Sequence, residues 1–283
     1  MNKNIFAILI FIGVFCLGLL IFGILAYFGN EADIPYQKFL QAAQSVLIFA
    51  LPVFACVFFT ASNPKKFLRL KSFSLRNFWL TAIFAFTAIP AVNFIALLNE
   101  KMRLPSFLSE FERWAAQTES ELKVLTEQFL TVNSVGGLLV NLIIIALLAA
   151  VSEELLFRGF IQRILERFFK NMHLAIWVTA FIFSAIHLQF YGFFPRMLLG
   201  AAFGYMLCFT GSLWLPMLAH FINNAVSVII FYIVQNYFPN TNTDTLDISV
   251  SQMLPFAVGC LILSLGLLWQ MRQKTTIFQK ILS

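Results

Sequence analysis

Three polar groupings interrupt an otherwise apolar chain, and each holds residue types suited to acid–base or oxyanion chemistry. The first is Glu153-Glu154 with Arg158 four residues on, at the end of the apolar run Leu138–Val151. Adjacent carboxylates and a guanidinium are costly at membrane depth, so they require a partner or a function. On a helix Glu154 and Arg158 share a face, and an ion pair between them offsets part of the burial cost of both. Glu153 is then left without a local partner, as a general base would be. The alternative is that both glutamates mark the cytoplasmic end of a span and are solvated.

The second grouping is His187, inside Ala180-Phe181-Ile182-Phe183-Ser184-Ala185-Ile186-His187-Leu188. A lone histidine there could be a packing residue, but its spacing suggests more. If the chain reverses near Lys170-Asn171, Glu153 lies 17 residues before Lys170 and His187 lies 17 after it. An antiparallel helix pair then brings the two to one level. Straight helices of ordinary length would separate them. The expectation is therefore a helix that continues past Arg158 through the amphipathic run 160–170, with the site in a water-filled cavity. Glu153 and His187 must come within hydrogen-bond reach or one bridging water to share a site.

The third grouping is His220 and Asn224, which share a helix face at a separation of four. A histidine and an amide can donate to an oxyanion and so stabilise a tetrahedral intermediate. The alternative is a buried interhelical hydrogen bond. His173 reads as interfacial, and Thr179, Ser184 and Thr210 as ordinary small polar residues of membrane helices.

The elements that must position these groups are membrane helices. Of 283 residues 60% are hydrophobic and 11% charged, against roughly 25% charged in a soluble domain. The fold class is all-α, a polytopic membrane protein of about eight spans: 5–28, 39–61, 78–98, 135–153, 173–190, 195–210, 215–237 and 252–270. The first is too long for a signal peptide and is expected to remain as a helix. The net charge of +6 resides in short segments between apolar runs, so nucleic acid is not an expected partner; the bilayer is. Cys16, Cys56, Cys208 and Cys260 lie in apolar runs without CxxC spacing and read as small buried hydrophobes.

Loop charge orients the spans. Residues 62–77 carry Lys65, Lys66, Arg69, Lys71 and Arg76 with no acid, which places this loop and both termini in the cytoplasm. Arg158, Arg163, Arg167, Lys170, Arg272, Lys274 and Lys280 agree, and loop 99–134, Asp244 and Asp247 fall outside; only Arg196 dissents. Within 99–134, Leu108, Phe111, Trp114 and Ala115 recur at helical spacing among charges, predicting an amphipathic interfacial helix. The chain divides into N-terminal spans with that outer loop (1–130), a core (131–240) and a last span with a basic tail (241–283), as one structural domain.

The order Glu153-Glu154-x-x-x-Arg158, Phe183-x-x-x-His187, His220-x-x-x-Asn224 resembles the CAAX-protease and bacteriocin-processing (CPBP, or Abi) intramembrane proteases. Phe157-Arg158-Gly159-Phe160 and Thr210-Gly211-Ser212-Leu213-Trp214 fit the same resemblance, which covers roughly residues 140 to 230. It implies a membrane endopeptidase cutting near the cytoplasmic face of a prokaryotic membrane, on a peptide or membrane-protein substrate. Glu153 would be the base, His187 its partner, His220 and Asn224 the oxyanion donors, and Glu154 and Arg158 structural or substrate-orienting. The family was named as metal-dependent, yet no His-Glu-x-x-His is present; zinc would have to draw on His187 and His220 with Glu153. A metal-independent glutamate mechanism without cofactor is the expectation. Two other readings stay open: a silent immunity or scaffold protein of the same fold, and a proton-coupled transporter with Glu153 and His187 as relay.

Overall fold

The computed structural model describes residues 3–30, 33–239 and 250–272. Asp244, Asp247, Lys274 and Lys280, used above to orient the chain, lie outside the described residues. Among the described residues there are helices and no strand: α1 (Lys3–Phe28), α2 (Ile34–Thr60), α3 (Leu75–Glu100), α4 (Ser109–Leu130), α5 (Val135–Phe169), α6 (Met172–Ala185), α7 (Phe193–Thr210), α8 (Trp214–Tyr237) and α9 (Val250–Gln270). The protein is an all-α polytopic membrane protein.

Seven of these helices, rather than about eight, are long and apolar enough to cross a membrane. The difference lies in the expected span 173–190. Its helix stops at Ala185 after 14 residues, about 21 Å, short of the roughly 30 Å of hydrocarbon. The amphipathic helix expected in 99–134 is present as α4, with Phe111 and Trp114 exposed.

Helix α5 is the axis of the molecule. Ser134 caps it by accepting from the Gly137 amide at 3.1 Å. It then runs 35 residues without a break, about 52 Å, well beyond the hydrocarbon thickness. Two wide π-helical stretches, Leu142–Leu148 and Leu155–Ile161, flank the α-helical turn Ala149–Glu154. Such widenings recur at functional sites because they re-aim the side chains around them. The helix ends where Lys170 turns left-handed (φ 51°), and Asn171 caps α6 by accepting from the Leu174 amide at 3.1 Å. The chain thus reverses at the predicted place.

Packing around α5 depends on small residues and aromatics. Leu155, Leu156, Phe157 and Phe160 pack with Val53 and Cys56 of α2, Phe183 of α6 and Met217 of α8. A second apolar cluster joins Phe84 and Ala88 of α3 to Phe203 and Met206 of α7, Ala219 of α8 and Leu267 of α9. Gly18 lets α1 lie directly on α2, since a Cβ there would be 2.3 Å from the Leu47 carbonyl oxygen. The cysteines divide: Cys56 and Cys208 are buried, Cys260 is partly exposed, and Cys16 is exposed on α1, whose surface is largely left for lipid. The reading of all four as buried therefore holds at Cys56 and Cys208 and fails at Cys16 and, in part, at Cys260, because α1 and α9 leave much of their surface uncovered.

Candidate active site

Glu153 is the nineteenth of the 35 residues of α5, about half-way along it. Continuity of the helix past Arg158 thus removes the conflict between the depth of Glu153 and that of the following helix. Its neighbour Glu154 is fully buried. Arg158 Nη1 donates to Glu154 Oε1 at 2.7 Å, the pairing that their four-residue spacing predicts. The guanidinium lies over the Phe183 ring at 4.5 Å and near that of Phe203 at 5.6 Å, so cation–π contact replaces part of its lost hydration.

His220, from α8, completes the cluster. Its Nδ1 lies 2.9 Å from Glu154 Oε1, and its Nε2 lies 3.8 Å from Glu153 Oε2. A carboxylate oxygen that already accepts from Arg158 can only accept again, so Nδ1 carries a proton and Nε2 is the nitrogen left to face Glu153. Neutral His220 would therefore be an acceptor at Nε2; it donates from there only when doubly protonated. The turn that delivers α8 is built locally. Gly211 ends α7 in the left-handed region (φ 65°). The Leu213 amide then donates to the Arg69 carbonyl at 2.9 Å, and Ser212 Oγ to the Lys71 carbonyl at 2.7 Å.

His187 lies just past the end of α6, partly buried. Its Nδ1 is 2.7 Å from the Phe183 carbonyl. A carbonyl only accepts, so Nδ1 carries the proton and neutral His187 has its Nε2 lone pair free. No direct contact joins it to Glu153 among the described residues. The link to His220 runs through Phe183, whose ring centroid is 5.1 Å from the His187 ring and 6.0 Å from the His220 ring. Asn224 stands one turn beyond His220, with Nδ2 at 3.5 Å from the Ile145 carbonyl, a bond at the limit of length. The structure therefore gathers Glu153, Glu154, Arg158 and His220 tightly, with His187 and Asn224 at the margin.

Zinc would need three protein ligands converging on one point. Among the described residues no three His, Cys, Asp or Glu side chains are grouped to hold a metal ion. The donor set Glu153, His187 and His220 does not fit that geometry.

One feature escaped the motif spacing. Glu154, Arg158, Gln162 and Glu166 recur every four residues and all are buried, forming a polar stripe along α5. Facing it on α7 are Gly200, Gly204 and Cys208, at the same interval. Arg158 Nη2 donates to the Gly200 carbonyl at 3.0 Å and Gln162 Nε2 to the Gly204 carbonyl at 3.5 Å. Glu166 closes the stripe, accepting from Gln162 at 3.0 Å and from Arg69 at 2.8 Å. The period of four was the available signal, hidden because Gln162 and Glu166 fell in a stretch read as amphipathic.

Comparison with known proteins bears on the same stretch. Residues 135–226 match the family model described as Type II CAAX prenyl endopeptidase Rce1-like. The chain is 33% identical over 90 residues to the uncharacterized protein YpbD of Bacillus subtilis, a match covering 30% of this chain and 43% of that protein. The match thus spans less than half the length of this relative. No solved structure matches. Glu153, Glu154, Arg158, His187, His220 and Asn224 all fall within the stretch that matches the Rce1-like model, in line with the CAAX-protease family that their spacing resembles.

Proposed function

We propose that the protein is an intramembrane endopeptidase that hydrolyses a peptide bond by a metal-independent glutamate mechanism. The observation that carries this reading is the half-buried Glu153 carboxylate set against His220 Nε2 at 3.8 Å, beside a Glu154–Arg158 pair that fixes the imidazole. Glu153 takes a proton from water while the His187 Nε2 lone pair holds the water's other hydrogen. The hydroxide adds to the carbonyl carbon, and the developing oxyanion is held by His220, donating from Nε2 in its doubly protonated form, and by the Asn224 amide. Glu153 then passes its proton to the leaving amine, so that water ends divided between a carboxylic acid and an amine. Glu154 and Arg158 are positioning residues: they hold His220 at Nδ1 and touch no reacting atom.

The substrate is a peptide or membrane protein reached within the bilayer, since Glu153 lies about half-way along α5. Basic loop 62–77 supports a cytoplasmic position for the N-terminus, and the Bacillus relative is consistent with a prokaryotic cytoplasmic membrane. The test is substrate trapping. Glu153→Gln keeps the size of the side chain but removes the base; trapped peptides should be cleaved by the wild-type protein and left intact by the variant. Cleavage that survives Glu153→Gln overturns the mechanism, and binding without cleavage by either form supports a silent scaffold instead.

A further inference from the structure

Arg196 is the basic residue that violates the charge rule orienting the rest of the chain, and its surroundings differ from those of Arg158. It stands in the first turn of α7, where one terminal nitrogen, Nη2, donates to Gln189 Oε1. The other, Nη1, is buried and has no hydrogen-bond partner among the described residues. Where Arg158 bonds the Glu154 carboxylate, the hydrogen bond of Arg196 is to a neutral amide. Leaving a guanidinium nitrogen unsatisfied away from water is costly, so the position invites an anionic partner.

The loop above it is held in place. The Tyr191 amide donates to Glu119 Oε2 of α4 at 2.9 Å, and Phe190 packs edge-on against Phe111 at 5.9 Å. Between α4 and this loop is a cavity of about 630 Å³ lined by Glu119, Lys123, Gln189, Tyr191 and Phe231, among others. Gln189 therefore has two roles: it lines the cavity and it is the acceptor for Arg196. The guanidinium lies within electrostatic reach of Glu119 on the cavity side and of Glu153 on the site side.

We infer that Arg196 holds a carboxylate of the substrate, which enters through the cavity between α4 and the 186–192 loop and displaces Gln189. A carboxylate accepts both terminal nitrogens of one guanidinium in a planar fork, where the amide accepts one. Its arrival satisfies Nη1 and places the peptide between Arg196 and Glu153. This rests on the protease reading of the same site and names the feature of the substrate that the site selects. The carboxylate is supplied either by the carboxyl terminus of the peptide or by an Asp or Glu side chain.

The experiment uses the full-length chain carrying Glu153→Gln in detergent. The probe is a pooled short-peptide library made in two forms, with a free C-terminal acid and with a C-terminal amide. Acid forms should be retained about tenfold over amides, the scale of one charge-assisted pair, if the terminus is the source. Retention of amide forms only when they contain Asp or Glu identifies the side chain. Adding Arg196→Gln should abolish the preference. Gln189→Leu, which leaves Arg196 in place, should raise it about threefold by removing the internal competitor. A preference unchanged by Arg196→Gln overturns the inference, as does the absence of any preference in both the parent and the Gln189→Leu protein. Cleavage by the wild-type chain is scored separately. Carboxylate preference without cleavage defeats the protease reading alone, and cleavage without preference defeats the carboxylate site alone.

Discussion

Arg158 bonds the Gly200 carbonyl at 3.0 Å with one terminal nitrogen and Glu154 at 2.7 Å with the other. One buried side chain thus ties the backbone of α7 to the carboxylate that orients His220. The rigidity of the site passes through this residue, and the closeness of α5 to α7 is its condition. A Cβ on Gly200 would lie 3.0 Å from Arg158 Nη2, and one on Gly204 would lie 2.8 Å from Gln162 Oε1 and 2.9 Å from Ile176 Cγ2.

Gly204→Ala should therefore destabilise the protein by about 1–3 kcal/mol, the usual cost of overpacking. Gly200→Ala should cost less, because its nearest neighbours would stand at 3.0 and 3.2 Å rather than 2.8 and 2.9 Å. Thermal unfolding in detergent checks the order; equal stability of Gly204→Ala and wild type would contradict the contact.

Breaking the buried pair by Arg158→Met should cost about 3–5 kcal/mol, since the fully buried Glu154 loses its guanidinium partner and keeps only the bond from His220. Replacing both partners, Glu154→Leu with Arg158→Met, should recover much of that stability without restoring cleavage. The double variant separates the role of the pair in the fold from its role in holding His220.

The two histidines should differ. His220→Gln removes one of the two partners of Glu154 Oε1 as well as the nitrogen facing Glu153, so both stability and cleavage should fall. His187→Gln should leave unfolding nearly unchanged and lower the cleavage rate by about 10²-fold, the lower range for a positioned acid–base group. Paired measurements of unfolding and turnover on the same preparations decide it.

Strong chelation should leave peptide cleavage unchanged under the glutamate mechanism. Loss of activity that added zinc restores would assign the metal to Glu153, His187 and His220 and require the site to close around it.

Orientation is testable with exposed positions. In a background where Cys16 and Cys260 are serine, Ser120→Cys on α4 should react with a membrane-impermeant thiol reagent in intact cells and Lys65→Cys should not. The reverse pattern would put α4 and the mouth of its cavity on the cytoplasmic side, the face at which the family resemblance implies cleavage.

Membrane class, the helical fold, the turn at Lys170-Asn171 and the Glu154–Arg158 pair were legible in the order of residues because each depends on local periodicity or a short-range preference. Hydrophobic runs report on lipid, and a four-residue spacing reports on a shared helix face. Tertiary structure decided what depends on how helices lie against one another. It set the preference of Glu153 for His220 over His187 as nearest ring, and the match of the Glu154–Glu166 stripe to Gly200, Gly204 and Cys208. It also left Arg196 with an unpartnered nitrogen beside a cavity. These follow from contacts between residues far apart in the chain, and no spacing along one helix specifies which face of another will meet it.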